Sequence, residues 1–341
     1  MKKFITILSL ALCLSLLAGC TGTTVVYTDC TCDGSHVAET TEPVVEGAVK
    51  TGLAVLASAK IENASAEAAG KASYDISLVA VLVDDQGVIV DCIIDSIGAD
   101  ITFDAAGNIL SGAGVEVLSK YELGDAYNMM LYTNGAAAGE WYQQADALAD
   151  YAVGKTVEEL KTGAVGETGY AQDADLATSA TIYLGGYVAA VEAAVANAQH
   201  LGAQAGDTLK LASINRVDDA CSLNSDVIAM TMNGETITSC FIDSLQAVIT
   251  VNADGTATAG NMLTKNMLGD DYGMVVYTGG KAIAEWYEQA ASFCAYVTGK
   301  TPAQVAGIAV TETTAPAEAD LATSVTIAIG GFQALVAKAA Q

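Results

Sequence analysis

The chain has 341 residues, with 40 Asp and Glu against 14 Lys and Arg and a net charge of −26 at pH 7. So acidic a surface repels phosphate backbones and anionic headgroups, which excludes nucleic acid and electrostatic lipid binding. Hydrophobic residues make up 52% with only three prolines, ample core material for two domains of ordinary size.

Met1-Lys-Lys is a short basic start, residues 4–17 are almost wholly apolar, and Leu17-Ala-Gly-Cys20 closes the run. The run is too short to span a bilayer and reads as a secretion signal over 1–19. Its last four residues resemble the bacterial lipobox, which implies cleavage before Cys20 and a lipid on its thiol. The mature protein is then expected on the extracytoplasmic face of the cell membrane, lipid-anchored. Loss of Lys2 and Lys3 moves its net charge to about −28. Residues 20–46 are Thr-rich and aperiodic and read as a tether. Within it, Asp29-Cys-Thr-Cys-Asp33 and His36 bring soft-metal ligands together. A single Cys-x-Cys is more simply a pair of oxidised or variably paired thiols, and no metal site is assigned.

Beyond the tether the chain repeats itself. Asp175-Leu-Ala-Thr-Ser-Ala-Thr181 recurs as Asp320-Leu-Ala-Thr-Ser-Val-Thr326, each running into an apolar Gly-Gly segment. Leu123-Gly-Asp-Ala-Tyr127 matches Leu268-Gly-Asp-Asp-Tyr272, and Glu140-Trp-Tyr-Gln-Gln-Ala145 matches Glu285-Trp-Tyr-Glu-Gln-Ala290. Two tandem repeated domains are expected, 47–201 and 206–341. Each opens with a possible early strand (53–58, 209–213) and then a hairpin: 77–83 and 88–96 around Asp84-Asp-Gln-Gly87, then 226–232 and 235–244 around Asn233-Gly234. A further strand follows at 101–103 and at 248–251. Helices begin near Trp141 and Trp286 and end near Gly154 and Gly299, with a closing helix after each Asp-Leu-Ala-Thr-Ser motif. The fold class is α+β, each domain a β-hairpin-led antiparallel sheet followed by helices.

Cysteine and histidine limit the chemistry. Cys92 and Cys240 sit at the same strand position and read as buried free thiols. Cys221 and Cys294 occur only in the second copy, where the first has Ser73 and Ala149, and a disulfide between them is the expectation. His36 and His200 are the only histidines, one in the tether and one at the junction. A His-dependent nucleophile or a His-rich metal site inside either domain is excluded, and no catalytic residue is assigned. The inventory suits a carrier or binding module better than an enzyme. Asp95 and Asp243 lie in apolar Ile-Asp-Ser settings, where burial raises a carboxyl toward acid–base use. The simpler alternative is a strand-end carboxylate held by backbone amides. Trp141 and Trp286 are either core anchors or stacking platforms for a flat ligand.

The repeated motif also has two readings. In one, Thr178 and Thr323 cap the closing helices. In the other, Asp-x-x-Thr-Ser-Ala-Thr resembles the flavinylation signature of bacterial FMN-binding domains, Asp-x-x-Ser/Thr-Gly-Ala-Ser/Thr ahead of a helix. That resemblance implies FMN joined by a phosphoester to Thr181 and Thr326, with Asp175 and Asp320 as leading acids and Thr178 and Thr323 behind them. It implies a flavin transferase and redox partners, and electron transfer at the membrane surface. The family's Gly is Ser179 and Ser324 here, and its Ala is Val325 in the second copy. The alternative is a non-catalytic envelope module that binds a ligand, in grooves near Trp141 and Trp286, or serves a structural role.

Overall fold

Alternation of period two decides the strands. Along β2 (Gly70–Val83), Ala72, Tyr74, Ile76, Leu78, Ala80 and Leu82 point one way, and Val79, Val81 and Val83 the other. A strand apolar on both faces must be covered on both. In the structure, a computed structural model describing residues 47–341, it is. Strand β2 lies between β1 (Lys50–Glu62) and β3 (Ile89–Phe103), and β4 (Ile109–Ser111) completes an antiparallel sheet in the order β1-β2-β3-β4. Residues expected as a separate strand at 101–103 continue β3, because Ile101 keeps its register with Ala72 on β2.

After β5 (Val115–Val117) the chain turns helical: α1 (Lys120–Leu123), α2 (Met129–Tyr132), α3 (Trp141–Ala152), α4 (Val157–Ala164), α5 (Ala174–Ser179) and α6 (Gly185–Ala196). A second series follows, with β6 (Thr208–Val217), β7 (Leu223–Asn233), β8 (Thr236–Ala247), β9 (Ile249–Val251) and β10 (Ala257–Ala259). Its helices are α7 (Lys265–Leu268), α8 (Met274–Tyr277), α9 (Trp286–Val297), α10 (Pro302–Ala306), α11 (Ala319–Ala322) and α12 (Gly330–Ala339). The second sheet runs β5-β6-β7-β8, and β9 and β10 form a ribbon. The class is therefore α+β, with antiparallel sheets and strands that precede helices.

The layers follow from the two apolar faces. The inner faces meet in a central core in which Tyr74, Ile76 and Leu78 pack with Leu223, Val227 and Leu245. Each fully buried aliphatic side chain there contributes roughly 1.5–3 kcal/mol. Helices α3 and α6 cover the outer face of the first sheet, and α9 and α12 that of the second. The order is helices, sheet, sheet, helices, and the described residues form one compact unit. Segments 47–201 and 206–341 share the central core.

Polar groups stitch this interior. The Tyr74 hydroxyl, on the first sheet, donates to the carbonyls of Cys221 (2.6 Å) and Ala247 (3.2 Å) on the second. Thr51, Ser239 and Thr231 form a buried hydroxyl chain at 2.7 Å per step. Short arms also cross over. β5, from the first segment, pairs with β6 through Val115–Val217 and Val117–Asn215. In return the Ala64 amide donates to the Gly255 carbonyl at 2.8 Å, and the Ala257 amide to Asn63 Oδ1 at 3.0 Å. At this crossing Gly107 and Gly255 have φ of +75° and +76°, and a Cβ on Gly107 would stand 2.1 Å from the Asn252 carbonyl oxygen. Only glycine fits both demands.

Candidate functional site

The repeated motif is held from below by a buried glutamine. Gln144 on α3 is fully buried and its Oε1 accepts from the Thr181 amide (2.7 Å), the Thr181 hydroxyl (3.0 Å) and the Ile182 amide (3.2 Å). Its Nε2 donates to the Gly139 carbonyl at 2.7 Å. Gln289 on α9 does the same for Thr326 and Ile327, at 2.7, 3.0 and 3.3 Å. Thr181 and Thr326 are exposed, as are Asp175, Thr178, Asp320 and Thr323. The Thr181 hydroxyl also accepts from the Ala138 amide at 3.1 Å.

The helix-capping reading of Thr178 and Thr323 is corrected. Asp173 caps α5, accepting from the Asp175 and Leu176 amides, while the Thr178 hydroxyl donates to the Asp175 carbonyl. Thr323 donates likewise to Asp320. The closing helices start later, at Gly185 and Gly330, with no side-chain cap. The motif thus forms a short turn of helix and then a clamped extended segment.

Trp141 and Trp286 are buried at 2% and 5% exposure in the two outer-layer cores. The Trp141 indole N–H donates to the Tyr187 hydroxyl at 3.2 Å, and Trp286 stands edge-on to Phe332 at 5.9 Å. Lys120 and Lys265 lay their ammonium groups over these indoles at 5.3 and 4.8 Å. The expected Cys221–Cys294 pairing is also corrected. Cys221 lies in the central core, whereas Cys294 lies in the outer core of the second sheet with its sulfur 3.0 Å from that of Cys240.

Asp95 and Asp243 combine the two properties that the sequence set against each other. Asp243 Oδ1 accepts from the amides of Ser244 (2.7 Å) and Asn266 (3.2 Å), and Asp95 Oδ1 from those of Ser96 (2.6 Å) and Tyr121 (3.0 Å). Burial is nonetheless the largest influence on both. It pushes each carboxyl up to about 6, against the pull of those amides and of the Thr264 and Ser119 hydroxyls. Asp243 is 6% exposed; Asp95 is half-buried by surface area, but its carboxyl group is enclosed enough to shift equally.

Each aspartate opens onto a cleft at a side of the sandwich, where a strand of one sheet meets a strand of the other. Asp95 faces a cleft of about 370 Å³ between β3 and β6. Asp243 faces one of about 750 Å³ between β8, α9 and β1. The difference has identifiable causes. Tyr121 and Lys338 occupy the smaller cleft, with Lys338 bonded to the Ser213 carbonyl and paired with Glu122. At the corresponding positions the larger cleft has Asn266, and Ala193 replaces the lysine. A cleft of this size suits a small molecule.

The larger cleft is lined by apolar Leu53, Phe241, Ile242 and Met267 and by polar Asp243, Glu288, Tyr287, Asn266 and His200. No Lys or Arg is among its lining residues. Its β1 side is an edge strand. Asn197 holds the Leu53 amide and carbonyl (3.2 and 2.6 Å), Gln199 holds those of Thr51, and Val55, next in parity, lines the cleft. His200 bonds Asp85 at 3.0 Å at the rim. Sequence reasoning had singled out Asp243 and His200 separately but missed Tyr287, Glu288 and Asn266. Tyr287 carried a signal, since it neighbours the repeated Trp286.

The fit of the described residues to FMN is limited to the two exposed threonines, whose hydroxyls are bonded to Gln144 and Gln289. Neither threonine lines either cleft, and the larger cleft offers a phosphate no cation. Among the described residues no group of three or more His, Cys, Asp or Glu is placed to hold a metal, and no helix is long and apolar enough to cross a membrane. The signal, the lipidation residue Cys20 and the tether residues Cys30, Cys32 and His36 lie outside the described residues. Compared with protein-family models, with curated proteins and with solved structures, the chain matches none.

Proposed function

We propose that this chain is a non-catalytic ligand-binding module of the cell envelope, held at the extracytoplasmic face of the membrane by lipid on Cys20 and built by tandem duplication of one unit. The observation that carries the reading is the cleft of about 750 Å³ beside Asp243. Its apolar lining favours a hydrophobic body, and Asp243 with Glu288, in a chain of net charge −26, favours a neutral or positively charged head over an anion. The ligand class is a small amphiphile such as an alkyl- or arylamine. Duplication explains why two corresponding clefts differ in size: Tyr121 of the first segment and Lys338 of the second fill one, while the other has Asn266 and Ala193 at those positions.

The test is a titration of the protein with phenethylamine and with the matching phenylpropionate, followed by protein NMR. Shifts confined to the Phe241, Asn266 and Tyr287 region with the amine alone support the reading. They should vanish in Ala295→Trp, which fills the cleft from an exposed position on α9. Equal response to the carboxylate, or none to either, removes it. Membrane anchoring is checked separately, since Cys20→Ser should move the protein to the soluble fraction.

A second reading, an FMN-carrying electron-transfer module, is favoured by one observation: Thr181 and Thr326 are both exposed residues. Co-expression with a flavin transferase should then give flavin fluorescence that survives a denaturing gel and is lost in the Thr181→Val, Thr326→Val double variant. A band unchanged in that variant, or no band, removes it.

A further inference from the structure

We infer that Cys240 and Cys294 are a modification site: the two close into a disulfide on the wall of the larger cleft. Cys240 projects from β8 and Cys294 from the facing side of α9, and their sulfurs lie 3.0 Å apart. A disulfide requires roughly 2.0 Å, so a shift of about 1 Å joins them, within reach of small side-chain rotations. Both side chains are buried, yet both line the cleft, which gives a small oxidant a path to the sulfur.

The rest of the molecule supplies its own controls. The first segment has Cys92 at the place of Cys240 but Ala149 at the place of Cys294, both buried in the same outer core. Cys221 lies in the central core, where its carbonyl receives the Tyr74 hydroxyl. Of the four described cysteines, one pair alone is in contact. The inference concerns these sulfurs and does not depend on what the cleft binds.

The chemistry balances with a low-molecular-weight disulfide as oxidant. The Cys294 thiolate attacks one of its sulfurs, forms a mixed disulfide and expels the first small thiolate. Cys240 loses its proton to solvent and attacks the Cys294 sulfur, expelling the second. Two protein thiols are oxidised and one small disulfide is reduced to two thiols. Burial and the neighbouring Cys294 hold the Cys240 thiol well above its ordinary range. Ring closure needs the Cys240 thiolate and therefore speeds up with rising pH. The bond ties α9 to β8 across 54 residues of chain, setting the spacing of the cleft wall.

The test treats the full chain with oxidised glutathione, unfolds it in iodoacetamide and maps its peptides. A peptide joining Cys240 to Cys294 is expected, lost on dithiothreitol, with Cys92 and Cys221 alkylated, and a thermal midpoint raised by about 5–10 °C. Cys294→Ala, which installs the residue found in the first segment, should leave Cys240 alkylated and abolish the shift. Ala149→Cys should create a second linked peptide with Cys92. The inference is overturned if Cys240 and Cys294 both alkylate after oxidation of the native protein and after refolding in a glutathione redox buffer. The wild-type map decides this by itself should a variant fail to fold.

Discussion

Gln144 and Thr181, 37 residues apart, are joined at two points: one carboxamide oxygen takes both the backbone N–H and the hydroxyl of the threonine. The contact fastens the segment before the closing helix α6 to helix α3, and the same arrangement recurs between Gln289 and Thr326. Gln144→Leu leaves the Thr181 and Ile182 amides and the Gly139 carbonyl without this partner. A loss of roughly 2–4 kcal/mol is expected, read as a fall in the denaturation midpoint. Thr181→Val removes the hydroxyl's bonds to Gln144 and to the Ala138 amide and should cost about 1–2 kcal/mol.

The buried aspartates set a pH dependence of defined sign. Asp243 has its carboxyl raised from an ordinary 3.8 to about 6, so the folded state keeps a proton that the unfolded chain has already released. The protein is then most stable, as far as this group is concerned, below pH 4, and loses stability as pH rises from about 4 to 6. The shift corresponds to roughly 3 kcal/mol at most. Asp95 acts in the same direction. Asp243→Asn should flatten about half of this slope in urea melts at pH 4, 5, 6 and 7; an unchanged slope would show that the carboxyl does not titrate there.

The shared central core predicts that the first segment does not fold alone. A fragment of residues 47–201 exposes Tyr74, Ile76 and Leu78, all buried against the second sheet in the whole chain. It should aggregate or give a poorly dispersed amide spectrum. Tyr74→Phe in the full chain probes the same seam with less damage. Its loss of two carbonyl contacts should cost about 1–2 kcal/mol.

Opening the smaller cleft is a gain-of-function test of the larger one. Lys338→Ala with Tyr121→Asn installs the residues found at the corresponding positions. The Lys338–Glu122 pair is partly exposed, so removing it costs about 1 kcal/mol or less. Phenethylamine should then bind at two sites per chain, counted by calorimetry, where the native protein has one.

The strands were legible in part: the hairpin expected at 77–83 and 88–96 falls on β2 and β3, while Ala72, Tyr74 and Ile76, which carry β2 back to Gly70, lay outside the expected strand. The sequence also revealed Trp141 with Trp286 and Thr181 with Thr326 as matched positions. What covers a strand's second face was illegible. Val79 and Val81 look the same whether a helix or a sheet lies above them, so the meeting of two sheets stayed hidden. The larger cleft depends on β1 and β8, whose Thr51 and Ser239 are 188 residues apart, a distance at which periodicity carries no information. The cysteine expectation failed for a related reason. Cys221 and Cys294 stood out by being unmatched, but proximity followed the fold and put Cys294 on Cys240, a matched position.

The crossed arms bear on timing. Strand β5 leaves the ribosome, and any export channel, well before the β6 edge it pairs with, and Ala64 waits for the Gly255 carbonyl. A chain delivered from its N-terminus therefore carries an unfinished sheet until nearly all of β6 to β10 has followed. Its window of vulnerability to proteases and to self-association is set by the rate of delivery, not by the rate at which the first sheet pairs. A holding chaperone on the delivery route would act on that interval, with the inner face of β2 as the surface it must shield.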